Sequence, residues 1–280
     1  MNPLFLRETV EAALREDRAD LDLTTLATVP PGARGRARII AREAGVIAGL
    51  PVAEAVFAAL DPELVFVPRV EDGARLGQGD VAADLSGPLR PLLTGERVAL
   101  NFLQHLSGTA TATAALVEAV RGYSVRILDT RKTTPGLRAL EKYAVRMGGG
   151  ANHRFSLAEM VLIKDNHIAA AGGVGEAIRR AREYAPPYAR IEVECEHESQ
   201  VREAIAEGAD LIMLDNMTPA EMRRMVDLVA GRAELEASGN VTAANAAEVA
   251  ATGVDYISSG AITHSARALD LSMEIVEVHP

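Results

Sequence analysis

Cysteine is almost absent: Cys195 stands alone among 280 residues. A single cysteine excludes an internal disulfide framework and any Cys-rich zinc site, and without a motif around it Cys195 reads as a small buried apolar group. Long hydrophobic runs are missing too. The longest uncharged apolar stretch near the start, residues 46–53, is far too short to span a bilayer. The opening MNPLFLRETVEAALRED mixes charges into its apolar positions and lacks the basic and apolar stretches of a secretory leader. A cytoplasmic protein with no membrane contact is the expectation. No Gly-x-Gly-x-x-Gly follows the first strand, which weighs against a dinucleotide fold. Lysine is scarce: of 29 basic residues only Lys132, Lys142 and Lys164 are lysine. Where arginine is the default cation, a retained lysine points to a need for a compact, titratable ammonium.

What is present is globular: 48% hydrophobic and 24% charged residues, a length that suits one barrel or two modest domains. The net charge of -10 argues against nucleic-acid partners. The charge is uneven, however. Residues 94–168 hold ten Lys/Arg and six acids, a balance of +4, so the remainder carries -14. A basic middle in an acidic chain suggests a small anionic ligand held in a pocket. Arg121, Arg126, Arg138, Lys142 and Arg146 read as ordinary helix-surface charge.

The first hundred residues predict a mixed α/β domain. Residues 4–16 carry one apolar helical stripe, and residues 35–49 read as two strands around a turn. Pro51 suits the first turn of a helix through Leu60. Residues 65–93 read as short strands. Thr94 is the expected N-cap of a helix that Ser107-Gly108 breaks, with another over residues 109–121. Beyond Val125 the pattern changes to short apolar runs with polar ends: VRILD, MVLIKD, RIEVE, LIMLD, ELEAS and DYISS. The last four end 21, 23 and 21 residues apart, about one strand-helix unit each. AEGADLIML and ATGVDYISS repeat a Gly helix end before a strand. Six such units favour an incomplete TIM-like barrel over a doubly wound sheet. The expected division is residues 1–108 and residues 109–266, with a tail at 267–280 packing on the first domain.

In a barrel the carboxyl ends of the strands share one mouth. That mouth would collect Arg131, Lys132, His153, Arg154, Lys164, Glu194 and Asp215. It would also collect two small turns, Ser238-Gly239-Asn240 and Ser259-Gly260-Ala261. Backbone N–H groups in such turns hold phosphate. So many cations converging on one mouth are costly unless an anion joins them. Glu194 and Asp215 invite Mg²⁺, ribose hydroxyls or a developing positive charge. His105, His197, His264 and His279 lack motif context and read as structural or exposed. His167 is ambiguous. Two other classes stay open: an aldolase-like barrel with Lys164 as Schiff-base lysine, and a non-catalytic sensor of a phosphate ligand.

The segments GERVALNFLQHLSGTAT, DTRKTTPGLRALEKYAVRMGGGANHR, LIKDNH, IEVECE, LIMLDN, EASGN and ISSGAITHSA together resemble the quinolinate phosphoribosyltransferase family. The resemblance implies a type II phosphoribosyltransferase fold, an N-terminal α/β sandwich with an incomplete α/β barrel. It implies synthesis of nicotinate mononucleotide, pyrophosphate and CO₂ from quinolinate and 5-phosphoribosyl-1-pyrophosphate. Mg²⁺ would be held mainly through substrate, with Glu194 and Asp215 as candidate protein ligands. Arg131, His153, Arg154 and Lys164 would surround carboxylates and phosphates, with Thr130 beside them and Arg97 donated across a homodimer. Lys132 would lie near the reacting ring and pyrophosphate, Glu194 and Asp215 at the ribose. The Ser238 and Ser259 turns, with Gly239, Asn240, Gly260 and Ala261, would hold the 5-phosphate. Lys132, Lys164, Glu194 and Asp215 are the expected catalytic set.

Overall fold

The computed structural model describes residues 2–279, which form two compact units. The first takes in the described chain up to Ala114, Thr134–Gly149, and the chain from Ser265 onward. Helix α1 (Pro3–Glu16) starts where the Asn2 side chain accepts the Leu4 N–H at 2.9 Å, and it buries Val10 and Leu14. A short 3₁₀ turn and α2 (Leu23–Thr28) follow, the latter capped by Asp22. Next come β1 (Arg34–Ala41), β2 (Gly45–Val46), α3 (Leu50–Leu60), β3 (Val65–Pro68), β4 (Arg75–Leu76) and β5 (Val81–Pro88). In β1, Arg34, Arg36 and Arg38 face outward while Gly35, Ala37 and Ile39 are buried, the period-two pattern of a sheet with one wet face.

The two strands expected over residues 35–49 exist, but they do not pair with each other. Strand β1 lies antiparallel between β5 and the last strand, β12 (Leu271–His279), whereas β2 pairs with β4. The sheet order is β12-β1-β5-β3. Helix α4 (Leu89–Ala119) corrects a second expectation. Thr94 does not cap it; its hydroxyl donates to Asp22 at 2.9 Å, and the helix has already begun. Ser107-Gly108 does not break it. The Ser107 hydroxyl accepts the Ala48 N–H at 3.0 Å, and a Cβ on Gly108 would run into the Arg267 carbonyl. This pair marks close packing inside one 31-residue helix, and the expected boundary at residue 108 falls within it. Ile39, Phe57, Leu85, Leu92, Leu103 and Leu106 are fully buried in this unit's core.

Helix α5 (Arg138–Met147) also belongs to the first unit and corrects the reading of Lys142 as a surface residue: Lys142 is 3% exposed. Beside it Glu141 is fully buried, accepting from Thr134 N–H at 3.0 Å and meeting His105 Nε2 at 2.8 Å. Burial raises the Glu141 carboxyl, but these bonds bring it net below its ordinary range. The helix packs a charged face inward because that face has partners there.

The second unit comprises Ala115–Thr133 and Gly150–His264. All six apolar runs are strands: β6 (Arg126–Leu128), β7 (Val161–Ile163), β8 (Ile191–Cys195), β9 (Leu211–Asp215), β10 (Glu234–Ser238) and β11 (Tyr256–Ser258). Between them run α6 (Asp165–Ala171), α7 (Val174–Tyr184), α8 (Glu198–Ala206), α9 (Pro219–Val229) and α10 (Ala246–Ala250), with α11 (Ala261–His264) after β11. Gly208 and Gly253, at φ +70° and +95°, turn the chain into β9 and β11 as the repeat predicted. The parallel order is β6-β11-β10-β9-β8-β7. From β7 to β11 successive strands lie side by side, and β11 pairs with β6, as in a barrel rather than a doubly wound sheet. The closure is incomplete: beyond β6 only a single bridge, Leu128 to Ala151, continues the sheet.

Candidate active site

The second unit brings all the sequence-predicted site residues but Arg97 onto strand ends or the loops beside them. After β6 the chain turns at Asp129. Its fully buried carboxylate accepts the Asn152 side-chain N–H and the His153 backbone N–H at 2.9 Å, which ties the Asn-His-Arg loop to the strand end. Thr130 Oγ1 accepts the Lys132 N–H at 3.0 Å, and Thr263 donates its hydroxyl to the Lys132 carbonyl at 2.7 Å. The Lys132 stem crosses Gly260, where an added Cβ would stand 2.9 Å from Lys132 Cδ. Glycine at this position therefore gives the lysine its path.

Lys164 follows β7 and reaches across to Glu194 at the end of β8, Nζ to Oε2 at 2.7 Å. A carboxylate engages its ammonium, which favours the charged form over the neutral amine that a Schiff-base lysine needs. His167 resolves as a local cap, its Nδ1 accepting the Lys164 N–H at 3.0 Å. Asp215 ends β9. Burial, then the charge of Glu194, raises its carboxyl above the ordinary range. Two acids that repel each other at a half-buried mouth suit a cation between them. Burial and the acids Glu194 and Glu203 push the Cys195 thiol up to about 12, so this cysteine is inert, as expected.

The Arg154 guanidinium is partly buried. Burial and then the nearby Arg131 charge lower its affinity for its proton, with Glu192 opposing. One of its N–H groups donates to the Met160 carbonyl at 3.1 Å. Two guanidiniums held together in a partly desolvated place are a ready seat for a carboxylate or phosphate.

The first of the two small turns, Ser238-Gly239-Asn240, is built on left-handed backbone. Gly239 and Asn240 both adopt positive φ, +97° and +53°. Asn216, also at positive φ, donates its backbone N–H to the Ser238 carbonyl at 3.0 Å. The Asn240 side chain in turn donates to Asn216 Oδ1 at 3.3 Å. Ser259 is buried, its N–H bound to the Leu128 carbonyl at 3.0 Å, and Gly260 and Ala261 lead into α11. Arg97 lies on α4 in the first unit, exposed and without an ion pair among the described residues.

Sequence reasoning passed over four residues that the structure places beside these groups. His264, dismissed for want of a motif, lies with Lys132 around Gly260. Asn216 braces the Ser238 turn. Glu192 and Glu236 are buried acids in the middle of β8 and β10, facing His153. The available signal was an acid inside a strand whose neighbouring positions are apolar.

The chain matches the model of the quinolinate phosphoribosyl transferase N-terminal domain over residues 22–107 and that of the C-terminal domain over residues 109–274. It is 47% identical over 278 residues to a nicotinate-nucleotide pyrophosphorylase [carboxylating] from Mycobacterium leprae, covering 96% of each chain. It is 41% identical over 289 residues to a quinolinate phosphoribosyltransferase [decarboxylating] from Nicotiana tabacum, covering 96% of this chain and 82% of the relative. Among solved structures it resembles NadC from Streptococcus pyogenes, with TM-score 0.95 and 47% identity over 99% of this chain and 98% of that one. Among the described residues no helix is long and apolar enough to cross a membrane.

Proposed function

The chain belongs to the quinolinate phosphoribosyltransferase family, and from that premise we propose how its own residues perform the reaction. It is a pentosyltransferase that moves the phosphoribosyl group of 5-phosphoribosyl-1-pyrophosphate to quinolinate with loss of CO₂, giving nicotinate mononucleotide and pyrophosphate. The observation that carries the assignment of roles is the cation set beside the strand ends, Arg131, Lys132, Arg154 and Lys164, with the half-buried acids Glu194 and Asp215 at the ends of two of those strands.

Arg131 and Arg154 take the carboxylates of the pyridine. Their shared desolvation makes a dianion a better occupant than a monoanion. Lys132 and Lys164 stabilise the departing pyrophosphate and the ring carboxylate as point charges. The Ser238-Gly239-Asn240 and Ser259-Gly260-Ala261 turns hold the 5-phosphate through backbone N–H groups. With the ribose so anchored, the pyridine nitrogen is held beside C1, which supplies the proximity contribution. As the C1–oxygen bond breaks, positive charge grows on the ribose, and Glu194 and Asp215 stabilise it. Once alkylated, the ring nitrogen carries the positive charge that stabilises the carbanion left when the adjacent carboxylate departs as CO₂, and that carbon then takes a proton from water to complete the product. No covalent nucleophile is needed.

Glu194 and Asp215 also fit Mg²⁺: both offer hard carboxylate oxygens, and burial, then the charge of Glu194, raises the Asp215 carboxyl, a cost that a divalent cation would relieve. Bound there with substrate oxygens, Mg²⁺ supplies charge neutralisation of the pyrophosphate. Arg97, exposed and without an ion pair among the described residues, serves the site of a second subunit in a homodimer. The assay is direct: protein, Mg²⁺, 5-phosphoribosyl-1-pyrophosphate and quinolinate should yield nicotinate mononucleotide and CO₂ in equal amounts. Absence of both would overturn the reading.

A further inference from the structure

The barrel interior holds a cluster that the chemistry above leaves unused. Glu192 and Glu236 are fully buried, and none of their four carboxylate oxygens accepts a hydrogen bond of good geometry among the described residues. Both face one imidazole: His153 Nε2 lies 3.0 Å from Glu192 Oε2 and 3.5 Å from Glu236 Oε2. One potential ligand atom from each of the three lies within 4.8 Å of the others, a spacing that suits either a divalent cation or a shared hydrogen. Two charged carboxylates could not rest in so dry a place unaided. Accordingly, burial and then the neighbouring Glu192 charge push the Glu236 carboxyl up to about 7.

The other ring nitrogen decides between the two occupants. His153 Nδ1 accepts the Arg154 backbone N–H at 2.7 Å, so Nδ1 carries no hydrogen. A neutral imidazole must then carry its hydrogen on Nε2, the atom that faces the glutamates. A metal on Nε2 would move that hydrogen to Nδ1, directly against the Arg154 N–H. Metal-ligating histidines donate from their second nitrogen, and this one accepts. Both ring nitrogens are thus engaged within the chain.

We propose that His153 is a positioning residue, an imidazole whose Nδ1 accepts the Arg154 N–H while Nε2 lies against Glu192 and Glu236, that fixes the Arg154 backbone and so aims the Arg154 guanidinium at the dicarboxylate. The first part concerns the resting protein alone; the second rests on the quinolinate reading above. His153 anchors the main chain of Arg154, and the Met160 carbonyl holds its guanidinium. Losing the first anchor swings the second, and a misplacement of an ångström at a substrate-holding group costs about 10²-fold.

Two measurements test this. In ¹⁵N-histidine-labelled protein, the pattern that disappears in His153→Gln should show Nε2 protonated and Nδ1 unprotonated, unchanged by chelator. A doubly protonated ring, an Nδ1–H ring, or stoichiometric metal in the purified protein that is lost in Glu192→Ala would overturn the proposal. In steady-state kinetics, Glu192→Gln keeps an acceptor for the Nε2–H and should stay near wild type. Glu192→Ala should lower kcat/KM for quinolinate by about 10²-fold while leaving KM for 5-phosphoribosyl-1-pyrophosphate unchanged. Equal losses in the Gln and Ala variants, or parallel rises in both KM values, would also overturn it. If wild type fails to turn over quinolinate, the functional reading falls and the ¹⁵N result still stands on its own.

Discussion

Lys132 and Lys164 sit at strand ends among the other cations of the barrel mouth, whereas Lys142 lies buried on α5. The first two should each lose about 10²-fold or more in kcat/KM on replacement by alanine, the scale of one preorganised electrostatic group. Lys142→Ala should instead show itself as a lower melting temperature, because it removes a side chain that is 3% exposed. Full stability of Lys142→Ala in a thermal melt would contradict the buried placement. Scarcity of lysine does not distinguish a site from a core, and the reading of Lys142 as surface charge falls with its burial. That distinction needs the partner groups, which lie far away in sequence. The same limit hid Glu192 and Glu236, since strand alternation reveals a shared face but not the histidine that arrives on a loop. Glu236 gives a stability test with a defined sign. Its folded value near 7 lies above its ordinary 4.5, so its contribution is intact below about 4.5 and is lost as pH rises through about 7. Wild type should lose melting temperature relative to Glu236→Gln between pH 5 and pH 8. A constant difference across that range would mean that Glu236 does not hold its proton as described.

At the scale of elements, the six parallel strands and their polar ends were legible because each is a short apolar run, buried on both faces and closed by turn residues. Their neighbours in the sheet follow from chain order. The antiparallel unit was less legible, since nothing local in residues 35–49 tells β1 that its partners are β5 and β12. Ser107-Gly108 misled for a different reason. Serine and glycine mark helix ends when exposed, but inside α4 they mark a close approach by the backbone near Arg267. Gly108→Ala should therefore destabilise the protein by about 1–3 kcal/mol, the usual scale of overpacking. Gly32→Ala, where a Cβ would meet nothing within 4 Å, should be close to neutral. Equal melting temperatures for these two variants would mean that Gly108 is an ordinary helical glycine.

For the whole molecule, the decisive feature is a cationic mouth in an acidic chain, with Arg97 left over. If Arg97 serves a second subunit, Arg97→Ala and Lys132→Ala chains, each inactive alone, should regain activity when refolded together. In a two-fold dimer, one of the two sites in each mixed pair has both intact groups. No recovery in a preparation shown to contain mixed dimers would place Arg97 in its own chain's service or in none. The most direct test of the site as a whole compares quinolinate with nicotinate at fixed Mg²⁺ and 5-phosphoribosyl-1-pyrophosphate, reading kcat/KM for the mononucleotide formed from each. A guanidinium pair left without one carboxylate should make nicotinate poorer by about 10²-fold or more. Equal or faster turnover of nicotinate would show that the cations at the strand ends are not there to recognise a dicarboxylate.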